Sequence, residues 1–211
     1  NNFEHLHTHS TYSFQDGIGL PEQYAKRVKE LGQPGLGITD HGNISAHYKL
    51  YKNCKKEGIV PILGCEFYIV EDDKDIRERE YNHITVLVKN NTGYRNMTKL
   101  VTKAWCEQFY YKPRITFKDL FEHQEGLIVL SGCLSSPVME ILKGDSGFEM
   151  DLAEENLELF RKNIEDFYIE FQPIGFEEGK FVYEKLIKLY NERLKEKGFK
   201  AVVTNDCHYI N

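Results

Sequence analysis

The sequence has no CxxC pair, one tryptophan, three methionines, no apolar run long enough to cross a membrane and no excess of positive charge. Each absence excludes a class. The five cysteines, Cys54, Cys65, Cys106, Cys133 and Cys207, are odd in number and widely spaced. Neither a disulfide framework nor a CxxC metal finger is expected, and a reduced, cytoplasmic setting is. No membrane span or signal peptide is visible, so no membrane partner is expected. With 27 basic against 33 acidic residues the charge is −6, so the surface as a whole is not a duplex-binding one. What is present is 211 residues, 41% of them hydrophobic, enough for one large domain, expected monomeric, with a real core. The chain opens close to a strand and stops just after another, which suits a domain taken from a larger protein.

Strand and helix signals alternate along the chain. Strands are expected at Phe3–Thr8, Gly35–Thr39, Ile59–Val70, His83–Val88, Gly126–Leu130, Phe167–Phe171 and Ala201–Thr204. Helices are expected from Leu20 to Leu31, to about Glu57 with Asn43 or Ser45 as cap, and from Thr92 to about Trp105. Others follow Thr116, span Pro137–Leu142 and Met150–Asn163, and run unbroken from Glu177 to Lys197, closed by Gly198. Segment 71–81 is charged and reads as a loop, and 109–114 as an aromatic, basic connection. The alternation implies an α/β fold with mostly parallel pairing: a distorted seven-stranded barrel, somewhat short of the eight-fold kind.

In such barrels chemistry collects at the C-terminal ends of strands. Ionisable residues recur there. His7 and His9 are two apart and share a face of an extended strand, with His5 one step deeper and Asp16 following. His41 follows the second strand, Glu66 lies in the third, Cys133 follows the fifth, and Asp206 and His208 follow the last. His83 is the exception, standing at the start of its strand; either that boundary is wrong or 66–70 and 83–88 pair antiparallel. Imidazoles and carboxylates in this pattern suit divalent metals, since four donors fill one site and shared carboxylates let ions cluster. The alternative is a set of scattered, solvated residues. His47 and His123 read as surface residues, Cys54 and Cys106 as helix packing, and Glu154, Glu155 and Glu158 as a solvated face. Cys65 should face away from Glu66, and Asp40 either orients an imidazole or caps a helix.

The motifs His5-Leu6-His7-Thr8-His9-Ser10, Ile38-Thr39-Asp40-His41-Gly42-Asn43, Pro61-Ile62-Leu63-Gly64-Cys65-Glu66, Leu130-Ser131-Gly132-Cys133-Leu134 and Thr204-Asn205-Asp206-Cys207-His208-Tyr209 resemble the polymerase and histidinol phosphatase (PHP) family of metal-dependent phosphoesterases. Lys89-Asn90-Asn91-Thr92-Gly93-Tyr94 and Phe109-Tyr110-Tyr111-Lys112-Pro113-Arg114 draw the resemblance towards the N-terminal PHP domain of bacterial DNA polymerase III alpha subunits. It spans nearly the whole chain, 1–211 as a single PHP domain, and implies a TIM-like distorted barrel. By resemblance the metal ligands are His7, His9, Asp16, His41, Glu66, His83, Cys133, Asp206 and His208, holding up to three divalent ions, zinc, manganese or iron. Glu66 would bridge two ions. His7, His9 and Asp206 would complete one site, His83 and Cys133 a second, and Asp16, His41 and His208 would hold the third. A metal-bound water held by Glu66, Asp206 and His208 would attack phosphorus. The implied activity is 3′→5′ exonuclease proofreading on a DNA primer 3′ end, within a bacterial polymerase and its replisome. Lys112 and Arg114 are candidate DNA contacts, with interdomain packing as their other reading. A non-catalytic metal-binding module and a free-standing phosphatase on small phosphate esters are the other functional readings. Polymerisation belongs outside this segment.

Overall fold

The structure is a computed structural model, and it describes residues 3–72, 77, 79–173 and 177–210. Eight strands are assigned among these residues: β1 Gly35–Ile38, β2 Val60–Val70, β3 Asn82–Val88, β4 Phe109–Tyr110, β5 Lys112–Thr116, β6 Leu127–Leu130, β7 Phe167–Phe171 and β8 Lys200–Val203. They follow the order β4-β5-β2-β3-β6-β7-β8, with β1 on β2. The expected strand at Phe3–Thr8 is not a regular strand. The segment instead makes parallel bridges, His5 to Leu36 and Thr8 to Cys207. His9 N donates to Cys207 O (2.7 Å) and Gly37 N to His5 O (2.6 Å). Residues 5–10 are thus the stave between β1 and the stretch after β8. They curl the sheet into the expected distorted, seven-stave barrel, and β4–β5 is a hairpin outside that ring.

β3 is reversed. It runs antiparallel to both β2 and β6, while β1–β2, β6–β7 and β7–β8 are parallel. The start of β3 therefore lies beside the ends of its neighbours, which explains the position of His83. The aromatic connection at 109–114 is the β4–β5 hairpin, whose second strand continues alongside Tyr68–Val70.

Among the described residues seven α-helices cover the sheet: α1 Pro21–Glu30, α2 His47–Glu57, α3 Asn91–Cys106, α4 Phe117–Glu122, α5 Pro137–Lys143, α6 Glu149–Asn163 and α7 Glu177–Leu189. The period-two pattern of β2 separates two environments. Cys65, Phe67 and Ile69 are buried in the main core with Leu100, Phe160 and Ile169, while Glu66 and Tyr68 face the rim. A smaller core under α1 and α2 holds Tyr24, Val28, Leu36, Ile38 and Leu50. Each fully buried aliphatic side chain contributes about 1.5–3 kcal/mol.

Several local expectations change. The N-cap of α3 is Asn90, which accepts from Gly93 N (3.0 Å), rather than Thr92. α2 begins after Ala46 with no side-chain cap. Asn43 instead ties two loops, its Nδ2 donating to Tyr12 O (3.1 Å) and His41 O (3.0 Å). Thr116 does cap α4, in a capping box with Asp119. The last helix is not continuous: α7 passes into a π-helical turn, Tyr190–Leu194. Cys106 is exposed. Glu154 is mostly covered and pairs with Arg193 (3.0 Å) and Lys197. Of the expected loop at 71–81, residues 73–76 and 78 lie outside the described residues. No helix among the described residues is long and apolar enough to cross a membrane.

Candidate metal centre

Residues 5–10, β2 and β3, together with the segments that follow the opening stave, β1, β6 and β8, deliver their polar side chains to one end of the barrel, around Glu66. Its carboxylate is 1% exposed and its two oxygens face different partners. Oε1 stands 3.4 Å from His7 Nε2, 3.3 Å from His83 Nδ1 and 3.3 Å from Cys133 Sγ. Oε2 stands 3.4 Å from His9 Nε2 and 2.7 Å from His41 Nδ1. Asp206 Oδ1 closes the other side, 3.3 Å from His7 Nε2, 3.2 Å from His9 Nε2 and 3.2 Å from His208 Nε2. Asp16 lies outermost, with Oδ2 2.5 Å from His41 Nε2 and Oδ1 3.4 Å from His208 Nδ1. All nine residues expected as ligands are thus neighbours in one cluster.

The residues around the cluster hold its rings. His7 Nδ1 donates to Glu170 Oε1 (2.7 Å), which leaves Nε2 facing Glu66 and Asp206. His9 Nδ1 donates to Ser13 Oγ (2.8 Å), and Ser13 Oγ donates to Asp40 Oδ1 (2.7 Å). Asp40 also accepts from Ser10 N (2.7 Å) and Ser10 Oγ (2.8 Å). It therefore orients an imidazole, but that of His9 through Ser13, not its neighbour His41. Carboxylate-to-histidine support of this kind fixes the tautomer and raises the basicity of the free nitrogen. Glu170 was not singled out in the sequence. Its signal was there, a carboxylate inside the apolar strand Phe167–Phe171, and it is fully buried, accepting also from Thr204 Oγ1 (2.5 Å) and Gly132 N (3.1 Å).

The electrostatics follow from crowding buried carboxylates among imidazoles. Burial opposes charge on His7, yet Asp206, Glu170 and Glu66 lift its pKa well above the usual value. His41 is raised in the same way, Glu66 and Asp16 outweighing its burial. The bond to Asp206 raises His208. Burial lowers His9. Glu66 is held well below the carboxylate range: burial opposes this, but His83, His7 and His41 prevail. Asp206 is lowered in spite of burial by His7, His208 and His9. Burial, with Glu66 and Asp206, pushes the Cys133 thiol up. The cluster thus seeks positive charge, from protons or from metal ions.

The donor atoms fit metal ions. Buried and without a well-formed hydrogen bond are His7 Nε2, His9 Nε2, His41 Nδ1, Asp206 Oδ1 and His208 Nδ1. Leaving such atoms unpaired is costly in the absence of a cation. Two donors each about 2.1 Å from one tetrahedral ion stand about 3.4 Å apart. The separations of His7 and His9 Nε2 from Glu66 and Asp206, 3.2–3.4 Å, match that spacing. Three sets have donor atoms within 4.8 Å of one another: His7–His9–Glu66, His9–Asp206–His208 and His41–Glu66–His83. The first holds three of the four residues of an expected site, Asp206 falling in the second set. The others share His9 and His41 differently from the expected partition. Asp206 takes φ +47°, a left-handed backbone that costs about 1–3 kcal/mol in a non-glycine residue.

Other expectations separate from the cluster. His5 does not share its face. It lies with Cys207, Nδ1 3.3 Å from Sγ, beside a separate small cavity bordered by Tyr24 and Leu36. His47 is not a surface residue, being buried with Nε2 donating to Gly64 O (2.8 Å). Lys112 borders the mouth of the cluster, its Nζ 5.2 Å from the Tyr68 ring centre. Arg114 is 2% exposed with its guanidinium over Tyr110, so it is a packing residue and not a direct DNA contact.

The PHP domain model matches residues 5–173. DNA polymerase III subunit alpha of Treponema pallidum is 41% identical over 98% of this chain, and that of Thermus aquaticus is 37% identical over 99%. The chain spans only 18% and 17% of those relatives. Among solved structures, a candidate metal-dependent phosphoesterase from Bifidobacterium adolescentis shares the fold with TM-score 0.64 at 12% identity, covering 99% of this chain and 88% of that one. An amidohydrolase from Chromobacterium violaceum, bound to sulfate, does so with TM-score 0.62 at 12% identity, covering 97% and 87%. The family match takes in most of the barrel and most of the clustered donors, and the chain belongs to the PHP domain family.

Proposed function

We propose that this PHP domain is a metal-dependent phosphodiesterase, acting as a 3′→5′ proofreading exonuclease within a bacterial replicative polymerase alpha subunit. The observation that carries the reading is the set of buried, hydrogen-bond-deficient donor atoms at metal-ligand spacing around Glu66. The similarity to polymerase alpha subunits supports this reading, in which the substrate would be a primer 3′ end and the surroundings the rest of the polymerase and its replisome in the cytoplasm. His7, His9, Asp16, His41, Glu66, His83, Cys133, Asp206 and His208 would hold up to three divalent ions. Imidazole, carboxylate and one thiol suit zinc, manganese or iron. When bound, such ions supply Lewis acidity toward phosphate oxygens and activate a water at neutral pH. Glu66 Oε1 faces His7, His83 and Cys133 and Oε2 faces His9 and His41, so its carboxylate would be shared between ion sites. Glu66, Asp206 and His208 would hold the attacking water. Glu170 and the Asp40–Ser13 pair keep the His7 and His9 rings from turning. Lys112 stands at the mouth, where its charge can hold a strand phosphate.

The test is release of nucleotides from a 3′-mismatched primer by protein loaded with manganese or zinc, with and without chelator. The expected result is chelator-sensitive release that His9→Ala or Asp206→Ala abolishes together with metal content. Full metal content with no release from any DNA end would assign the domain as a non-catalytic metal-binding module. Turnover confined to small phosphate esters would assign a phosphatase.

A further inference from the structure

Beside the donor cluster lies an open cavity of about 540 Å³, within the range of about 300–1,000 Å³ that holds small-molecule ligands. Asp16, His41 and His83 form its polar border. Its walls are aromatic and unusually uncovered: Phe14 is 85% exposed, Tyr111 62%, and Trp105 and Phe109 49% each. These four come from three segments: the loop after the opening stave, the end of α3, and the β4–β5 hairpin.

Trp105, Phe109 and Tyr111 are held in place. Trp105 and Phe109 stack with centroids 5.4 Å apart, and Trp105 Nε1 donates to Gly42 O (2.7 Å), next to His41. Arg79 lies 4.3 Å over the Tyr111 ring and donates to its hydroxyl (2.8 Å). Among the described residues, only Gln15, Tyr111 and Asp206 combine a side chain with positive φ, at +69°, +59° and +47°. Two of these border the cavity and the third belongs to the donor cluster. Backbone strain is concentrated at this mouth, as it is at ligand clamps.

We propose that this cavity seats the base of an unpaired terminal nucleotide, stacked between Phe14 and the Trp105–Phe109 pair, with Lys112 on the adjoining phosphate. The inference rests on the phosphodiesterase reading above. Aromatic faces with a nearby cation are the chemistry that binds single strands, since every base presents a π-face. A base can use both walls only after leaving its duplex. A mismatched terminus separates at lower cost than a paired one, so the seat favours the ends that need removal.

The probe is a single-stranded oligonucleotide with 2-aminopurine as its 3′ base, and a second with an abasic 3′ end. The metal-loaded protein is expected to quench the fluorescent base. Phe14→Ala, at an exposed position, should weaken binding of the natural end about 5- to 150-fold, the range for one lost stack. Its removal of the abasic end should be unchanged. Phe14→Tyr should restore both quenching and affinity. DNA hydrolysis without quenching, or equal effects of Phe14→Ala on the two ends, would overturn the base seat while leaving the exonuclease reading intact. No hydrolysis of either end would instead overturn that reading, and quenching would still report the seat separately.

Discussion

The two faces of the sheet are built on opposite principles. The outer face, between the strands and α3–α7, has an apolar core: Phe67, Ile69, Val86, Leu100 and Phe160 are buried in one cluster and need no ligand. The inner end is buried just as deeply but polar, with His7, His9, Asp40, Glu66, Glu170 and Thr204 all between 0% and 1% exposed. The same strands serve both, because successive residues alternate. Cys65 and Phe67 belong to the outer layer and Glu66 to the inner one. A buried carboxylate among imidazoles stabilises the fold only while a cation balances it. The outer layer is therefore what folds the protein, and the inner end is what bound cations would complete.

The largest expected effect comes from removing the centre of the inner end. Glu66→Gln should reduce bound metal to near zero and hydrolysis to background, while far-UV circular dichroism stays native, read by elemental analysis and nucleotide release. Loss of the fold would show that the two faces are not separable. The converse break is Phe67→Ala, which deletes outer-layer packing and should cost about 3–5 kcal/mol in urea unfolding. Its folded fraction should retain a full complement of metal.

A finer test separates ligands from the residues that orient them. Glu170→Gln keeps the shape and an acceptor for His7 but loses the charge. It should lower metal affinity or activity about 10- to 100-fold without changing stoichiometry at saturating metal. Unchanged affinity would make Glu170 a packing residue only.

The smallest effect is in pH. In the metal-free protein His7, His41 and His208 are raised above the ordinary histidine value of about 6.5. Their contribution to stability is full below that value and is lost as pH rises through their raised values. Metal binding displaces those protons, so affinity should rise over the same pH range. Thermal melts with and without chelator should therefore slope in opposite directions above about pH 6.5, by a few degrees, since about 1 kcal/mol moves Tm by about 2–4 °C at this size. Parallel slopes would contradict the account of the cluster's charge.

The sequence made the donor set legible where spacing carried it. His7 and His9, and Asp206 and His208, are two apart at strand ends, and the two pairs meet at Asp206 Oδ1. It was ambiguous where chain direction mattered. His83 stood at the wrong end of its strand until β3 proved antiparallel, and no local signal distinguishes a parallel from a reversed strand. It misled where two residues offered the same chemistry. Asn90 and Thr92 both suit an N-cap, and only the turn geometry before Gly93 selects Asn90. Burial by distant segments was beyond it altogether. His47 and Arg114 carry polar heads yet are covered by strands and helices remote in sequence. The base seat is of this last kind, since Phe14, Trp105 and Phe109 come together only across the barrel mouth.

The most direct measurement is metal stoichiometry of the protein purified without chelator, by elemental analysis beside Glu66→Gln. The account predicts close to three divalent ions per chain in the wild type, lost together in the variant. Close to zero in the wild type, even after soaking in zinc or manganese, would contradict it.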